Sequence, residues 1–170
     1  MFQFSIKGGN KGAKISLENQ REQDGILYMD AWSGASVLYS VPQISMKIDR
    51  LNEDHKKMLA FYLDFWRLHR DVLLDGKVKA EHPESCYSLV WAEKDDKAIY
   101  TAYTDPVIAC EGFTEVIAVN VTGGRDLILK GAQGKNYRVV NCMGEELSSG
   151  QICESLALVS VPMSGMVFVE

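Results

Sequence analysis

The sequence predicts a mainly β protein: an antiparallel β-sandwich of about seven or eight strands, preceded by one long amphipathic α-helix. Between residues 77 and 170, short runs rich in β-branched and aromatic residues recur about every ten residues. Turn signals with glycine or aspartate separate these runs, and no helical periodicity interrupts them. Only residues 52–74 carry a long helical pattern, so a parallel α/β sheet is not expected.

The first 51 residues have no single pattern. Phe2, Phe4 and Ile6 alternate with polar residues as in a strand, and an apolar run from residue 37 to 41 stops at Pro42. We divide the chain into an N-terminal segment (1–51), a connecting helix (52–76) and a sandwich domain (77–170).

The helix is predicted from its ends as well as its periodicity. Asn52 is a candidate N-cap, and Glu53 and Asp54 follow where the helix dipole favours anions. Asp75 and Gly76 end the helix, with Gly76 expected in the left-handed conformation.

Apolar residues cover about two-thirds of the helix circumference, whereas a surface helix needs only one stripe. We therefore expect the helix to contact two bodies, one on each side. The polar stripe predicts surface ion pairs between Glu53 and Lys57 and between Arg67 and Asp71. The first apolar stripe is Met58, Phe61, Tyr62, Phe65, His69 and Val72, and the second is Leu59, Leu63, Trp66 and Leu73, interrupted by Arg70.

The strands of the sandwich are predicted from alternation and from the turns between them. They span residues 87–93, 98–103, 115–120, 126–129, 136–141, 156–161 and 166–169.

Composition excludes some functional classes. A net charge of −5 and scattered cations argue against a nucleic-acid partner. No apolar run approaches the roughly 20 residues of a membrane-spanning helix, so no membrane partner is predicted. No secretion signal is visible, which leaves the compartment unknown.

Cysteine and histidine spacing predicts no metal centre. Cys86, Cys110, Cys142 and Cys153 form no C-x-x-C pair, and free buried thiols are the favoured interpretation. The histidines at positions 55, 69 and 82 have no ligand spacing with each other or with cysteine, so solvated or structural roles are expected.

The sequence contains no nucleophile elbow, no phosphate-binding loop and no zinc-protease motif. The adjacent acid pairs Asp95–Asp96 and Glu145–Glu146 are interpreted as solvated turns, because successive strand residues point to opposite faces. Asp49 and Arg50 are either ligand contacts or, as we favour, a structural ion pair ahead of the helix.

Of the three tryptophans, Trp91 is a candidate for stacking on a sugar ring. Trp91 shares a predicted strand face with Tyr87 and Leu89, which favours a core role. Trp66 belongs to an apolar helix stripe, and Trp32 lies in sequence without an assigned element.

One stretch resembles a known family. V-P-Q-I-S at residues 41–45, F-W-x-x-H-R-D-x-L-L-x-G at 65–76 and the ending V-P-M-S-G-M at 161–166 are similar to the C-terminal region of melibiase-type α-galactosidases (glycoside hydrolase clan D, family 36-like). The similarity runs from about residue 37 to 170, with the middle motif the most specific, and residues 1–36 fit the family poorly.

The resemblance implies a three-part enzyme with an N-terminal β-domain, a (β/α)₈ barrel and a C-terminal sandwich. Both catalytic aspartates of the family lie upstream of V-P-Q-I-S, so no catalytic, cofactor-binding or metal-binding residue can be carried onto this sequence. The implied function is a non-catalytic accessory or structural domain of a retaining glycosidase, and the implied partner is the catalytic barrel.

Alternatives stay open at this point. A stand-alone carbohydrate-binding module would need exposed aromatics such as Trp91 or Tyr103 in a groove. An enzyme with an unrecognised site is the least favoured interpretation. A homodimer through the exposed apolar helix face is also expected if the barrel is absent.

Overall fold

A computed structural model describes residues 14–15, 37–44 and 51–170 of the 170-residue chain. The described residues form one α-helix and twelve strands, ten of them in the sandwich. In chain order the elements are β1 (Lys14–Ile15), β2 (Gln43–Ile44), α1 (Glu53–Asp75), β3 (Lys77–Glu81), a 3₁₀ turn (Pro83–Ser85), β4 (Leu89–Lys94), β5 (Lys97–Ala102), β6 (Val107–Ala109), β7 (Glu115–Asn120), β8 (Asp126–Lys130), β9 (Asn136–Val140), β10 (Glu146–Gln151), β11 (Leu156–Ser160) and β12 (Met166–Val169).

The structure confirms a mainly β sandwich preceded by one helix. A seven-stranded sheet, β10-β9-β12-β7-β5-β4-β3, packs face to face with a three-stranded sheet, β11-β8-β6. The helix covers the other face of the large sheet, so the domain has three layers. An inter-sheet cluster includes Val116, Leu127 and Val167, and a helix–sheet cluster includes Leu73, Ile117 and Met166.

Not all strand pairs are antiparallel as expected. The pairs β5–β7 and β6–β8 run parallel. The chain alternates between the two sheets from β5 to β8, so same-sheet neighbours are separated by a strand of the other sheet. The chain reverses direction each time it changes sheet, so after two changes it returns to the first sheet in its original direction. For this reason both pairs run parallel.

Three sandwich strands were missed by the pattern analysis. The edge strand β3 has exposed residues at four of its five positions, and β6 is only three residues long. All six residues of β10 are exposed, and that strand is held by its ladder with β9. None of these strands has a buried face strong enough to produce an alternating sequence signal.

Helix α1 begins as predicted. The side chain of Asn52 accepts a hydrogen bond from the amide of His55 at 2.9 Å and thereby caps the first turn. The predicted ion pairs are wrong, because Glu53 pairs with Lys56 and Arg67 pairs with Asp64, each at a spacing of three residues. These exposed pairs contribute little to stability.

The end of α1 corrects a second expectation. Gly76 has φ −74° and ψ 165°, which is an extended conformation and not a left-handed one. Glycine is required for space instead: a Cβ there would lie 2.2 Å from the carbonyl oxygen of Val72 and 2.9 Å from that of Glu93. The missing side chain lets the end of the helix lie directly against β4.

We expect Gly76→Ala to lower the free energy of unfolding by about 3 kcal/mol or more, because both clashing atoms belong to the backbone and cannot rotate away. Urea titration measures the change. Gly123→Ala is the matched control, since an added Cβ there meets no atom within 4 Å. Equal stability of the two variants would contradict the packing argument.

Candidate functional site

The inner face of α1 anchors the helix to the large sheet. Met58, Tyr62, Phe65 and Val72 are buried, and the hydroxyl of Tyr62 donates a hydrogen bond to the carbonyl of Ser164 at 2.7 Å. This face matches the first predicted apolar stripe apart from Phe61, which is only half-buried. Because this face is occupied by the sheet, only the flanks of the helix on either side of it remain for other contacts.

Three residues of the second predicted stripe, Leu59, Leu63 and Trp66, are half-buried, and Trp66 is contacted by residues 37–40. The indole Nε1 of Trp66 donates to the carbonyl oxygens of Leu38 at 3.2 Å and Ser40 at 3.0 Å. Leu59 and Leu63 are also half-buried, yet neither belongs to the two clusters formed by the described residues. Leu59 and Leu63 therefore mark a side of the helix that the sandwich core leaves uncovered.

Tyr39 holds this short segment on the sheet. Its hydroxyl lies 3.0 Å from the carbonyl oxygen of Val90, 3.1 Å from that of Ile99 and 3.0 Å from the hydroxyl of Thr101. Burial raises the pKa of this phenol, so it stays protonated and able to donate. The segment that precedes β2 is thereby fixed between the helix and the large sheet.

Strands β1 and β2 form a separate parallel pair. Lys14 is paired with Gln43, and Ile15 with Ile44. Strand β2 lies within the V-P-Q-I-S stretch and precedes α1 in the chain. Sheets whose strands are all parallel occur almost only in α/β proteins, with both faces covered.

The sequence analysis misplaced two leucines of the helix. Leu73, assigned to the second stripe, is completely buried against the sheet. Leu68, assigned to no stripe, is 74% exposed, and helical spacing places it on the flank opposite Leu63. A wheel analysis with Leu68 included would have found this second flank.

A buried polar group joins α1 to the sheet. Nδ1 of His69 accepts a hydrogen bond from Nζ of Lys97 at 2.9 Å, and Lys97 also forms an ion pair with Glu115 at 2.7 Å. Burial, together with the Lys97 charge, lowers the pKa of His69 to about 4. The ring is therefore neutral near pH 7 and acts as an acceptor, in agreement with the predicted structural role.

Trp91 is half-buried and contacts a residue from each neighbouring strand. Its indole stacks on Tyr100 with ring centroids 5.5 Å apart, and Nζ of Lys79 lies 5.9 Å from the indole centroid. These two residues come from the strands on either side of Trp91, because the register pairs Lys79 with Trp91 and Trp91 with Tyr100. Trp91 packs against the inter-sheet cluster, consistent with the favoured core role.

The other aromatic candidates differ in exposure. Tyr103 is half-buried and packs against the helix–sheet cluster. Tyr87 is 49% exposed, precedes β4 and has φ 64°, so it does not share the buried face of Leu89 and Trp91. Trp32, Asp49 and Arg50 lie outside the described residues.

The pair Asp95–Asp96 lies at a turn, as expected, whereas the second acid of the pair Glu145–Glu146 lies in a strand. Asp95 and Asp96 connect β4 to β5, and a hydrogen bond from the Thr114 hydroxyl lowers the pKa of Asp96. Glu145 precedes β10, and Glu146 is the first residue of that strand.

One group of described residues has metal-ligating atoms close together. Donor atoms of Glu81, His82 and Asp105 lie within 4.8 Å of one another. Glu81 and His82 are exposed, Nδ1 of His82 bonds Glu84 at 3.0 Å, and a carboxylate oxygen of Asp105 accepts from the amide of Val107. Glu84 and the amide of Val107 already pair with two of these side chains, so we assign the group solvated and structural roles.

All four cysteines are free. Cys110 and Cys142 are buried, and burial raises the pKa of both thiols, to about 11 for Cys110. Cys86 and Cys153 are exposed, so the prediction of buried free thiols holds for two of the four.

Comparison with known protein families, curated proteins and solved structures gives no match. No helix among the described residues is long and apolar enough to cross a membrane. What the described residues bring together most clearly is one flank of α1, where Trp66 is held by residues 37–40 and Leu59 and Leu63 stay half-buried.

As the pH is lowered from about 6.5 to about 4, we expect the free energy of unfolding to decrease. His69 should account for up to about 3 kcal/mol of that decrease. The pKa of its ring falls from 6.5 to about 4 on folding, so in that window the unfolded chain binds a proton that the folded chain does not. Stability from this group is complete above pH 6.5.

Chemical denaturation of wild type and His69→Gln at pH 7 and pH 4.5 measures this contribution. Glutamine keeps an acceptor for Lys97 but does not titrate, so the variant should lose less stability on acidification than wild type. His82→Gln, at an exposed histidine, should retain the wild-type slope. An unchanged slope in His69→Gln would refute the assignment.

Proposed function

We propose that this chain is the non-catalytic end of a melibiase-type glycosidase: the last strand and helix of a (β/α)₈ barrel, followed by a C-terminal sandwich. In this proposal the chain supplies a packing surface for the catalytic barrel. The reacting carboxylates belong to the barrel, where retaining cleavage requires two of them about 5 Å apart.

The parallel pairing of β1 with β2 carries the proposal. A two-stranded sheet is marginal in water even as a hairpin, and parallel pairs are less stable per residue than antiparallel ones. Within a barrel each strand has a neighbour on both sides and leads into a helix. Strand β2 has the second of these features, because α1 follows it after residues 45–52.

The second stripe of α1 supports the same arrangement. Leu59 and Leu63 lie on the flank contacted by residues 37–40, the segment that leads into β2. Barrel helices pack an apolar face on their strands, and α1 would do so with this flank while its inner face holds the sandwich. In this arrangement two neighbouring apolar stripes of α1 contact two different partners, the sandwich and the barrel. This is the contact with two bodies that the sequence predicts.

A fusion experiment tests the proposal. The chain is joined behind the barrel of a melibiase-type α-galactosidase whose own last strand, last helix and sandwich have been removed. We expect the fusion to be soluble and to hydrolyse an aryl α-galactoside, whereas the truncated barrel aggregates. The isolated chain should show no turnover.

Leu63→Glu and Leu68→Glu provide the matched comparison. A carboxylate at position 63 would be buried against the barrel without a partner, so that fusion should lose most of its soluble activity. Position 68 lies on the opposite flank and is already exposed, so its variant should behave like the parent fusion. Equal effects of the two changes, or sustained turnover by the isolated chain, would contradict the proposal.

Stand-alone carbohydrate binding is the alternative function. Because Tyr100 stacks on the Trp91 ring and the Lys79 ammonium lies over it, we expect titration with galactosides and plant oligosaccharides to leave tryptophan fluorescence unchanged. Calorimetry on the same samples should detect no heat. A saturable change in fluorescence that is lost in Trp91→Phe would favour the alternative.

A further inference from the structure

The small sheet has an outer face that points away from the large sheet. Side chains of its three strands, β6, β8 and β11, alternate in direction along each strand. Those that enter the inter-sheet cluster are Ile108, Leu127, Leu129 and Val159. The positions between them face outward, and Leu158 at one of these positions is 70% exposed. Within the described part of the chain, therefore, no layer covers this face.

An apolar row crosses the middle of the outer face. The register pairs Leu158 with Ile128, and Ile128 with Val107, so these side chains stand next to one another across the three strands. Val107 is 37% exposed, and Ile128 is half-buried between its two neighbours. Leu156, which is 55% exposed, widens the row on one side. An exposed apolar surface with polar groups around it is typical of an interaction site.

Opposite charges lie on the two sides of this row. Asp126 and Lys130 are the first and last residues of β8, and each is two positions from Ile128 and therefore on the same face. Both are exposed, and neither forms an ion pair with another described residue. Strand β8 thus presents an unpaired acid on one side of the apolar row and an unpaired base on the other.

We propose that this face binds the same face of a second copy of the chain, with a two-fold axis that runs along the apolar row. A rotation of 180° about this axis places the row over its own equivalent and reverses the direction of the strands. Leu158, Ile128 and Val107 then each face the same residue of the second copy. Lys130 faces Asp126 of the second copy, and the symmetry generates this contact twice.

Charge selects both the second copy and its orientation. Packed sheets lie about 10 Å apart, a gap that a lysine and an aspartate side chain can bridge from opposite sides. The usual crossing angle of about 30° moves the ends of β8 sideways by only about 3 Å. A two-fold axis along β8 would instead place Lys130 over Lys130 and Asp126 over Asp126, which is repulsive at both ends. The axis across the strands pairs each of these charges with its opposite.

The size of the face determines the strength of the contact. Three strands, with five residues in β8, cover about 14 Å by 17 Å. This is well below the roughly 800 Å² that each partner buries in a standard interface, so the dimer belongs among weak and transient complexes. We therefore expect a dissociation constant of about 100 µM to 1 mM.

Sedimentation equilibrium of the full chain, from about 10 µM to about 1 mM, tests the dimer. The average mass of wild type should rise from the 19.0 kDa monomer towards the dimer. Leu158→Ser removes apolar contact from both copies and should weaken association about tenfold. Leu68→Ser, at an equally exposed leucine of α1, is the matched control and should behave like wild type.

Two results of this measurement would overturn the proposal. One is a wild type that stays monomeric throughout the range. The other is weaker association in Leu68→Ser but not in Leu158→Ser, because that result would assign the contact to the exposed flank of α1.

Charge reversal tests the orientation. Lys130→Asp gives β8 two outward acids and Asp126→Lys gives it two outward lysines, so each variant alone should dimerise about tenfold more weakly than wild type. An equimolar mixture of the two variants should associate at least as strongly as wild type, because the acids of one copy then face the lysines of the other. The double variant Lys130→Asp/Asp126→Lys should also recover the wild-type affinity. A double variant as weak as the single ones would contradict the proposed axis.

Cross-linking distinguishes this face from the free edge of β11. In a background with the exposed Cys86 and Cys153 changed to serine, Leu158→Cys should be linked by a bismaleimide with a spacer of about 8 Å. It should not form a direct disulfide, which requires Cα atoms within about 7 Å of each other. Rapid disulfide formation would indicate pairing of the strands edge to edge and would refute face-to-face packing. None of these results bears on the fusion experiment, because the outer face of the small sheet takes no part in the proposed barrel contact.

Discussion

The burial of both faces of the large sheet is the constraint from which the rest of the architecture follows. In β5, β7 and β12 successive side chains point alternately into the inter-sheet cluster and into the helix–sheet cluster. A sheet that is apolar on both sides requires a layer on each. The small sheet supplies one layer and α1 supplies the other, so the helix is part of the domain core as well as a connection to the preceding segment. The close approach at Gly76 and the neutral His69 both serve this contact.

Sequence patterns predicted the elements that have a strong buried face. The helix and seven of the ten sandwich strands were found because their apolar residues recur with the period of the element. Strands β3, β6 and β10 were missed because they depend on pairing with a neighbour, and pairing partners are not encoded in local periodicity. The parallel pairs were missed for a related reason, since alternation between sheets is a tertiary property.

The candidate surfaces were predictable only in part. The sequence predicts that α1 contacts two partners, because apolar residues cover about two-thirds of the helix circumference. The contacts of residues 37–40 with Trp66 could not be inferred from the local pattern. The edge of β11 is visible as an uncharged run in the sequence, yet its exposure depends on its place at the end of the small sheet.

The alternation of the chain between sheets from β5 to β8 has a consequence for how the domain forms. Each parallel pair closes only after an intervening strand has been placed in the other layer, so no two consecutive strands from β5 to β8 pair with each other. Pairings with such sequence separation lose loop entropy before they gain contacts, which makes folding slow. The two layers therefore assemble as one cooperative unit, and cleavage within residues 97–130 would disrupt both layers together.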